Sequence, residues 1–321
     1  MNPLPHKRTP LLASLAFTAL ASSGTTVVWN GLPFIAKLEY GFSEGENLCL
    51  YLMIAFVYVI GALTSGLAAR KIQPYFSSRV LLAILLVIEM LVCSMPLFFA
   101  SQWVVWAAGG VAGFCSAWIW PIVESYLVAG RHGHAMRRAI GWWNITWMVS
   151  VACVMFAMAP MMEEYASMVI VGLGAINVLA IGVLPWFGAT PAHHDQASSV
   201  ASVPDGYRSL LRGARVLLPL SYMINGVLAP LLPFILFELH VKIIWQTPLA
   251  AVWMVSRVLV TAVMWHWASW QGKWSVLWIA VGTLSVGFVS ILSANGLFLL
   301  FVGLTIFGVG MGVTYYAALY Y

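Results

Sequence analysis

Ten apolar runs of about twenty residues follow one another along this sequence, and no other feature limits its possible folds so strongly. A helix of about twenty residues covers the ~30 Å hydrocarbon core of a bilayer. Hydrophobic residues make up 62% of the 321 residues and charged residues only 8%, whereas a soluble domain carries roughly 25% charged residues. The chain is therefore predicted to cross a membrane many times.

The spanning segments are predicted to be α-helices. Lipid offers no partner for backbone polar groups, so only helices and closed barrels can cross it. Barrel strands alternate apolar and polar residues, but runs such as 80–88 and 296–313 are continuous. We predict an all-α polytopic membrane protein with helices at residues 12–36, 47–69, 80–100, 103–130, 139–159, 166–187, 214–238, 247–268, 275–293 and 297–321. A cleavable signal peptide is the alternative for the first segment.

The basic residues predict the orientation of these helices. Twelve of the 15 Lys and Arg residues fall in alternate loops, while the opposite loops hold only Lys37 and Lys242. Because cytoplasmic loops are enriched in Lys and Arg, the N-terminus is predicted to be cytoplasmic, in a plasma or inner membrane. The net charge of +5 is thus explained by topology, and no nucleic-acid partner is expected.

The sequence also predicts two bundles. Residues 188–213 are polar and rich in turn formers, which is typical of a linker. They separate an N-terminal six-helix bundle, residues 1–187, from a C-terminal bundle of four helices, residues 214–321. In the linker, His193 and His194 are either metal ligands or solvated side chains; we expect the latter, and no metal or other cofactor.

A short repeat supports this division. The segment Leu32-Pro33-Phe34-Ile35 recurs 200 residues later as Leu232-Pro233-Phe234-Ile235. Each copy lies near the outer end of an odd-numbered helix and is followed by an acidic residue. Two like-oriented units form a parallel repeat, which is a common plan for secondary transporters.

This organisation resembles the major facilitator superfamily, whose members have twelve helices in two six-helix bundles around a cavity that opens alternately to each side. The family motif between helices two and three is matched here by Gly66 and Lys71, but Arg70 and Gln73 replace its Asp and second Gly. The spacing from Glu124 to Arg131 is similar to that of sugar porters at the end of helix four. The resemblance implies that helices eleven and twelve are absent and that the sequence is a fragment.

Three ionisable side chains lie in or near the middle of predicted membrane-spanning helices. Placing such a group in hydrocarbon costs free energy, so it usually has a function. Arg257, in helix eight, either binds an anionic substrate or pairs with a carboxylate or Asn144. Glu89, in helix three, either carries a coupling proton or is a protonated carboxyl bonded to a neighbouring helix. Glu124, paired with Arg131 or Arg138, forms either a gate or a static interfacial pair.

Neutral polar and aromatic side chains complete the predicted substrate site. The side-chain amides of three residues are candidates to hydrogen-bond a solute: Asn30, Asn144 and Asn225. Two indole rings are candidates to line the cavity: Trp118 and Trp120.

These features predict a secondary transporter that moves a small solute by alternating access. A proton is a candidate coupling ion, and we expect a monomer. The chain contains no GxxxxGK[ST] or HExxH motif, and its one GxSxG match, residues 41–45, lies in a loop between two predicted helices rather than in a strand–turn–helix unit. Neither a primary pump nor an enzyme is therefore predicted. A membrane-embedded enzyme and a multidrug/proton antiporter are the alternatives. The antiporter is less favoured because residues 144–160 contain no glycine.

Overall fold

The computed structural model describes residues 8–72, 74–192 and 206–320, and every regular element within them is helical. Ten helical segments are long and apolar enough to cross a membrane, and each corresponds to one predicted helix. The predicted linker histidines, His193 and His194, lie outside the described residues. By their contacts the residues fall into two compact units.

Unit 1 takes in Met1–Ser150 and Met161–Ser198. Its first span is a helix interrupted by a π-helical turn. The elements in chain order are α1 (Leu11–Thr26), the π turn (Val27–Gly31), α2 (Leu32–Leu38), α3 (Glu44–Ile72), α4 (Ser78–Cys93), α5 (Gln102–Val128), α6 (Gly133–Ala157) and α7 (Ala166–Val183), with 3₁₀ turns at Met95–Leu97, Ala159–Met161 and Leu184–Trp186.

Close helix packing in unit 1 depends on small residues in α5. This helix packs on α3, while α4 and α1 both pack on α7. A methyl group added at Gly109 would lie 2.8 Å from Cδ1 of Ile54, and one added at Gly113 would lie 3.3 Å from the Ile54 carbonyl oxygen. The glycines therefore let the two helices approach more closely than larger residues would allow without some movement of Ile54.

Unit 2 takes in Val151–Pro160 and Ser199–Tyr321. Its helices are α8 (Tyr207–Glu238), α9 (Ile243–Ala250), α10 (Val252–His266), α11 (Trp274–Leu292) and α12 (Leu297–Tyr320), with a 3₁₀ turn at Ala268–Trp270. The last helix, α12, packs on α10, α11 and α8. The stretch from Tyr207 to residue 213, predicted as linker, forms the first turns of α8.

Glycines on α12 face two neighbours at once. A methyl group at Gly308 would overlap the carbonyl oxygen of Trp253, and one at Gly312 would lie 3.1 Å from that of Arg257. Toward α11, a methyl group at Gly310 would lie 2.8 Å from Cγ of Leu284. The backbones of α10 and α12 are thus in direct contact beside Arg257.

The helix positions agree with a parallel repeat. The two spans that contain the repeated segment end at Leu38 and Glu238, which are 200 residues apart. The next spans of unit 2 start at Ile243, Trp274 and Leu297, which lie 199, 196 and 195 residues after the starts at Glu44, Ser78 and Gln102. The repeat seen in four residues therefore extends over four consecutive spans.

Candidate functional site

Arg257 is buried in unit 2 among aromatic side chains. Only 1% of the residue is exposed. Its Nη2 donates a hydrogen bond to the hydroxyl oxygen of Tyr222 on α8, at 3.0 Å. Its guanidinium carbon lies 4.6 Å from the ring centroid of Tyr315 on α12 and 5.6 Å from that of Tyr222. Three helices thus converge on one buried cation.

Tyr222 and Tyr315, which contact the guanidinium, are neutral side chains. Aromatic faces attract a guanidinium by about 0.5–2 kcal/mol, and a phenol oxygen is a good acceptor, but neither cancels the charge. Both alternatives predicted for Arg257, an anionic substrate and a structural pair with a carboxylate or Asn144, stay predictions.

Asn225 belongs to the same face of α8 as Tyr222. Residues three apart on a helix are neighbours on its surface, and Asn225 is half-buried. Sequence reasoning predicted Asn225 and Arg257 but missed Tyr222 and Tyr315. The one feature of the sequence that could have indicated Tyr222 is its three-residue spacing from Asn225, but many other aromatic residues have similar spacings from polar ones.

Glu89 lies in unit 1 and bonds to a neighbouring helix. Its Oε2 accepts a hydrogen bond from Nδ2 of Asn177 on α7, at 3.1 Å, and both residues are buried. This is the contact expected of the structural alternative for Glu89. The role of Glu89 in proton coupling stays a prediction.

Arg131 is committed to the backbone. Its Nη1 donates to the carbonyl oxygens of Tyr126 and Leu127 at the end of α5, and its Nη2 donates to that of Thr9 at 2.8 Å. Burial, and then the charge of Arg8, lower the pKa of Arg131, but a guanidinium remains charged at physiological pH. Arg131 therefore ties the end of α5 to the residues before α1.

Glu124 and Arg138 are both exposed. Within the described ranges, Glu124 forms no ion pair with Arg131 or Arg138 in this conformation. A gate that closes in only one conformation stays a prediction for this pair. Arg138 is the better partner, since the guanidinium of Arg131 is already engaged.

Asn30 lies on the π turn of the first span. A π turn inside an α-helix is uncommon and often marks a functional site. Here two side chains of α3 bond carbonyl groups near it: the Tyr51 hydroxyl donates to the Val28 oxygen, and Asn47 Nδ2 to the Pro33 oxygen, both at 3.0 Å. Asn30 is thus held on an irregular, braced segment and is half-buried.

Asn144 and the two predicted tryptophans also lie in unit 1. Asn144 is fully buried, and its Oδ1 accepts a bond from Nε1 of Trp147 at 3.1 Å. Trp120 contacts the ring of Trp143, with centroids 6.3 Å apart. Trp118 is buried and lines a cavity of about 270 Å³ with Pro121, among others. The structure does not gather these residues into one cluster with Glu89.

Metal ligation has no support in the described part of the chain, where no group of three His, Cys, Asp or Glu side chains comes together. The four cysteines are free; Cys93 and Cys115 are buried, and Cys49 and Cys153 are exposed.

Comparisons with known proteins come from structure alone. No protein-family model matches the sequence, and no curated protein matches it. The fold, however, is similar to crystal structures of the nucleoside transporter NupG. A point mutant of NupG aligns with a TM-score of 0.72 and 13% identity, over 96% of this chain and 80% of that one. The structure of NupG without that mutation aligns with a TM-score of 0.68, at the same identity and coverage.

A bacterial homologue of the human lysosomal transporter Spinster is also similar. Its inward-facing, unoccupied structure aligns with a TM-score of 0.62 and 14% identity, over 96% of this chain and 73% of that one. The occupied inward-facing structure gives a TM-score of 0.60 and 18% identity, over 99% of this chain and 74% of that one. Both relatives are major facilitator transporters. The protein is therefore a multi-pass membrane protein with the fold of the major facilitator superfamily.

Proposed function

We propose that this protein is a secondary transporter that moves a small anionic solute across its membrane by alternating access. The fold supports transport, because solved structures similar to it are those of transporters. The anionic substrate is inferred from Arg257, a buried cation that bonds the Tyr222 hydroxyl and lies near the rings of Tyr222 and Tyr315. A charged side chain inside the membrane costs free energy, and its presence there is typical of a substrate pathway.

A neutral nucleoside is the second candidate substrate, since NupG is a nucleoside transporter. The two candidates differ in what they require of Arg257. An anion needs its charge, whereas a nucleoside can be held by hydrogen bonds from amides such as Asn30 and Asn225. Proton coupling is tested separately, by comparing uptake with and without an imposed pH gradient.

The test begins with the purified protein and paired ligands that differ only in charge. Lactate, gluconate and benzoate are compared with their amides, and with uridine, for their effect on the thermal unfolding midpoint. The acid that raises this midpoint most becomes the probe for uptake into proteoliposomes. We expect the acid to be taken up unchanged and faster than its amide.

Arg257→Gln is the decisive variant, and Arg215→Gln is its matched control. Both remove one positive charge from unit 2, but Arg215 is exposed near the start of α8. We expect Arg257→Gln to reduce uptake of the acid at least tenfold and Arg215→Gln to leave it within twofold. Uptake of uridine that is equal in both variants, without uptake of any acid, would favour the nucleoside candidate.

A further inference from the structure

The cavity beside Trp118 lies within unit 1, where α3 ends and α4 begins, and has a volume of about 270 Å³. Its wall is formed by the last turns of α3, the start of α4, the second half of α5 and the chain just after α7. Two of its lining residues, Phe76 and Pro121, are exposed. A small molecule can therefore reach the cavity from the surface of unit 1.

The cavity begins where the close packing of α3 on α5 ends. A methyl group added at Gly61 of α3 would lie 2.8 Å from Cβ of Ala117 on α5. About one turn further along the two helices, Gly66 and Pro121 line the cavity, and a methyl group at Gly66 would meet nothing within 4 Å. Pro121 has no N–H and removes one bond from the α5 ladder. The open space thus lies beside a residue without a side chain and a residue that interrupts the helix ladder.

The wall of the cavity offers apolar surface and no charge among its described residues. The rings of Trp118 and Phe76 contribute to it, together with the aliphatic side chains of Leu81 and Ile122. A charged ligand would lose its hydration here without gaining a counter-charge from these residues. This wall therefore favours a neutral molecule with an apolar body.

Hydroxyl groups and an indole N–H add a polar part. Ser65 Oγ donates to the Ala62 carbonyl oxygen at 2.9 Å. Ser125 Oγ donates to the Ile122 carbonyl oxygen at 2.6 Å. Because each hydroxyl proton is used within its own helix, each serine oxygen is left to accept from a ligand. The Trp118 N–H, by contrast, is buried and has no acceptor in the described part of the chain. A ligand hydroxyl can donate to a serine and accept from the indole, whereas a lipid acyl chain can do neither.

We propose that this cavity is a binding site for a small neutral alcohol with an apolar body. The body packs against Trp118 and Leu81, and the hydroxyl group bonds the oxygen of Ser65 or Ser125. The site lies in the other unit from the Arg257 cluster, and it does not depend on what that cluster binds. The inference therefore adds a second ligand to the proposed function and does not rest on it.

Benzyl alcohol, benzylamine and benzoate test the ligand class, because they share one ring and differ in charge. The purified protein is irradiated with a benzyl alcohol that carries a diazirine on its ring, and peptide mass spectrometry locates the adducts. We expect adducts on the lining segments 65–69 and 118–125, which excess benzyl alcohol reduces at least fivefold. The amine and the acid should reduce them less than twofold. Adducts on Trp278, which is 71% exposed on α11, should be equal in all samples.

Gly66→Leu tests the location, with Gly45→Leu as the matched control. Both variants place a leucine on α3 where its first carbon meets nothing within 4 Å, but only Gly66 lines the cavity. Since the leucine at residue 66 occupies cavity space, we expect the adducts that benzyl alcohol can displace to fall at least tenfold. In the control they should stay within twofold of the wild type.

A double variant, Ser65→Ala with Ser125→Ala, tests the polar contact. Its control is Ser94→Ala with Ser221→Ala, since these hydroxyls also donate to a carbonyl three residues earlier but do not line the cavity. Loss of one hydrogen bond weakens binding by roughly 2- to 10-fold. We expect the double variant to need that much more benzyl alcohol for half displacement, while displacement by toluene, which has no hydroxyl, is unchanged.

Several results would overturn the inference. Adducts that no competitor reduces would show only partition of the probe into lipid or detergent. Displaceable adducts that persist in Gly66→Leu would place the alcohol elsewhere, and equal displacement by benzoate or benzylamine would contradict the neutral class. If Gly66→Leu does not fold, an unchanged requirement for benzyl alcohol in the double serine variant overturns the site. None of these measurements involves transport, so this inference and the proposed function fail independently.

Discussion

A buried carboxyl group is stable among lipid-facing helices when its oxygens and its proton all have partners. Glu89 accepts from Nδ2 of Asn177, and Oδ1 of Asn177 is buried with no partner in the described part of the chain. A protonated Glu89 would donate to that oxygen and close a ring of two hydrogen bonds. The pair would then clamp α4 to α7 without a net charge.

This arrangement predicts different effects for two substitutions. Glu89→Gln should change the free energy of unfolding by less than about 1 kcal/mol, because an amide also donates to Asn177 and accepts from it. Asn177→Ala should cost about 1–3 kcal/mol, because it leaves a buried carboxyl without its partner. Denaturant titration in detergent measures both. An Asn177→Ala variant as stable as the wild type would refute the clamp.

The residues that carry charge at membrane depth could be predicted from sequence, but their partners could not. Hydropathy alone marks Arg257 and Glu89 as exceptions within apolar runs. Their partners come from other helices, however: Tyr222 is 35 residues from Arg257, and Asn177 is 88 from Glu89. Arg131 was one of two predicted partners of Glu124, with Arg138, and in this structure its guanidinium bonds the Thr9 carbonyl, 122 residues away. A single sequence contains no pattern that fixes such distant contacts.

At the level of the helix, the ends were harder to predict than the spans. Helices α6 and α8 begin at Gly133 and Tyr207, several residues before their predicted starts at 139 and 214. The early residues include Arg137, Arg138 and Arg208, which the sequence suggested were loop. Arginines at a membrane interface extend their charged ends into water while the backbone stays helical, so basic residues do not end a helix.

The glycines of α12 provide a prediction at this scale. Gly308→Ala should destabilise the protein by about 1–3 kcal/mol, because the added methyl group overlaps the Trp253 carbonyl and forces α10 away. Gly282→Ala is the control, since a methyl group on that residue of α11 would meet nothing within 4 Å. Thermal unfolding followed by size exclusion measures both. Equal melting temperatures for the two variants would contradict the packing of α10 on α12.

At the level of the molecule, the repeat and the charge distribution were both evident in the sequence. The match between Leu32–Ile35 and Leu232–Ile235 predicted a correspondence between the two halves, and the similar spacing of the span starts agrees with it. The number of membrane-spanning helices was predicted from the number of apolar runs that are long enough to cross a bilayer. The π turn at Val27–Gly31 was not predicted; in the structure, Tyr51 and Asn47 bond carbonyl groups in and beside it from another helix.

The orientation in the membrane predicts the labelling of two loops. In a background without native cysteines, Tyr75→Cys should react with a membrane-impermeant maleimide only after the cells are opened, since its loop is basic and is therefore predicted to be cytoplasmic. Ser101→Cys, in the following loop, should react in intact cells. Both positions are exposed. The reverse pattern would invert the proposed topology.

Counterflow in proteoliposomes tests most directly whether the protein is a carrier that alternates access. Vesicles are preloaded with the selected unlabelled acid, and the entry of trace labelled acid is followed. A carrier changes its orientation faster when substrate is bound than when it is empty, so we predict transient accumulation of labelled acid above equilibrium. Arg257→Gln should abolish this accumulation and Arg215→Gln should preserve it. Label that enters without saturation and without stimulation by the internal acid would indicate a channel, and label recovered as a new compound would indicate an enzyme; either result would contradict the proposed mechanism.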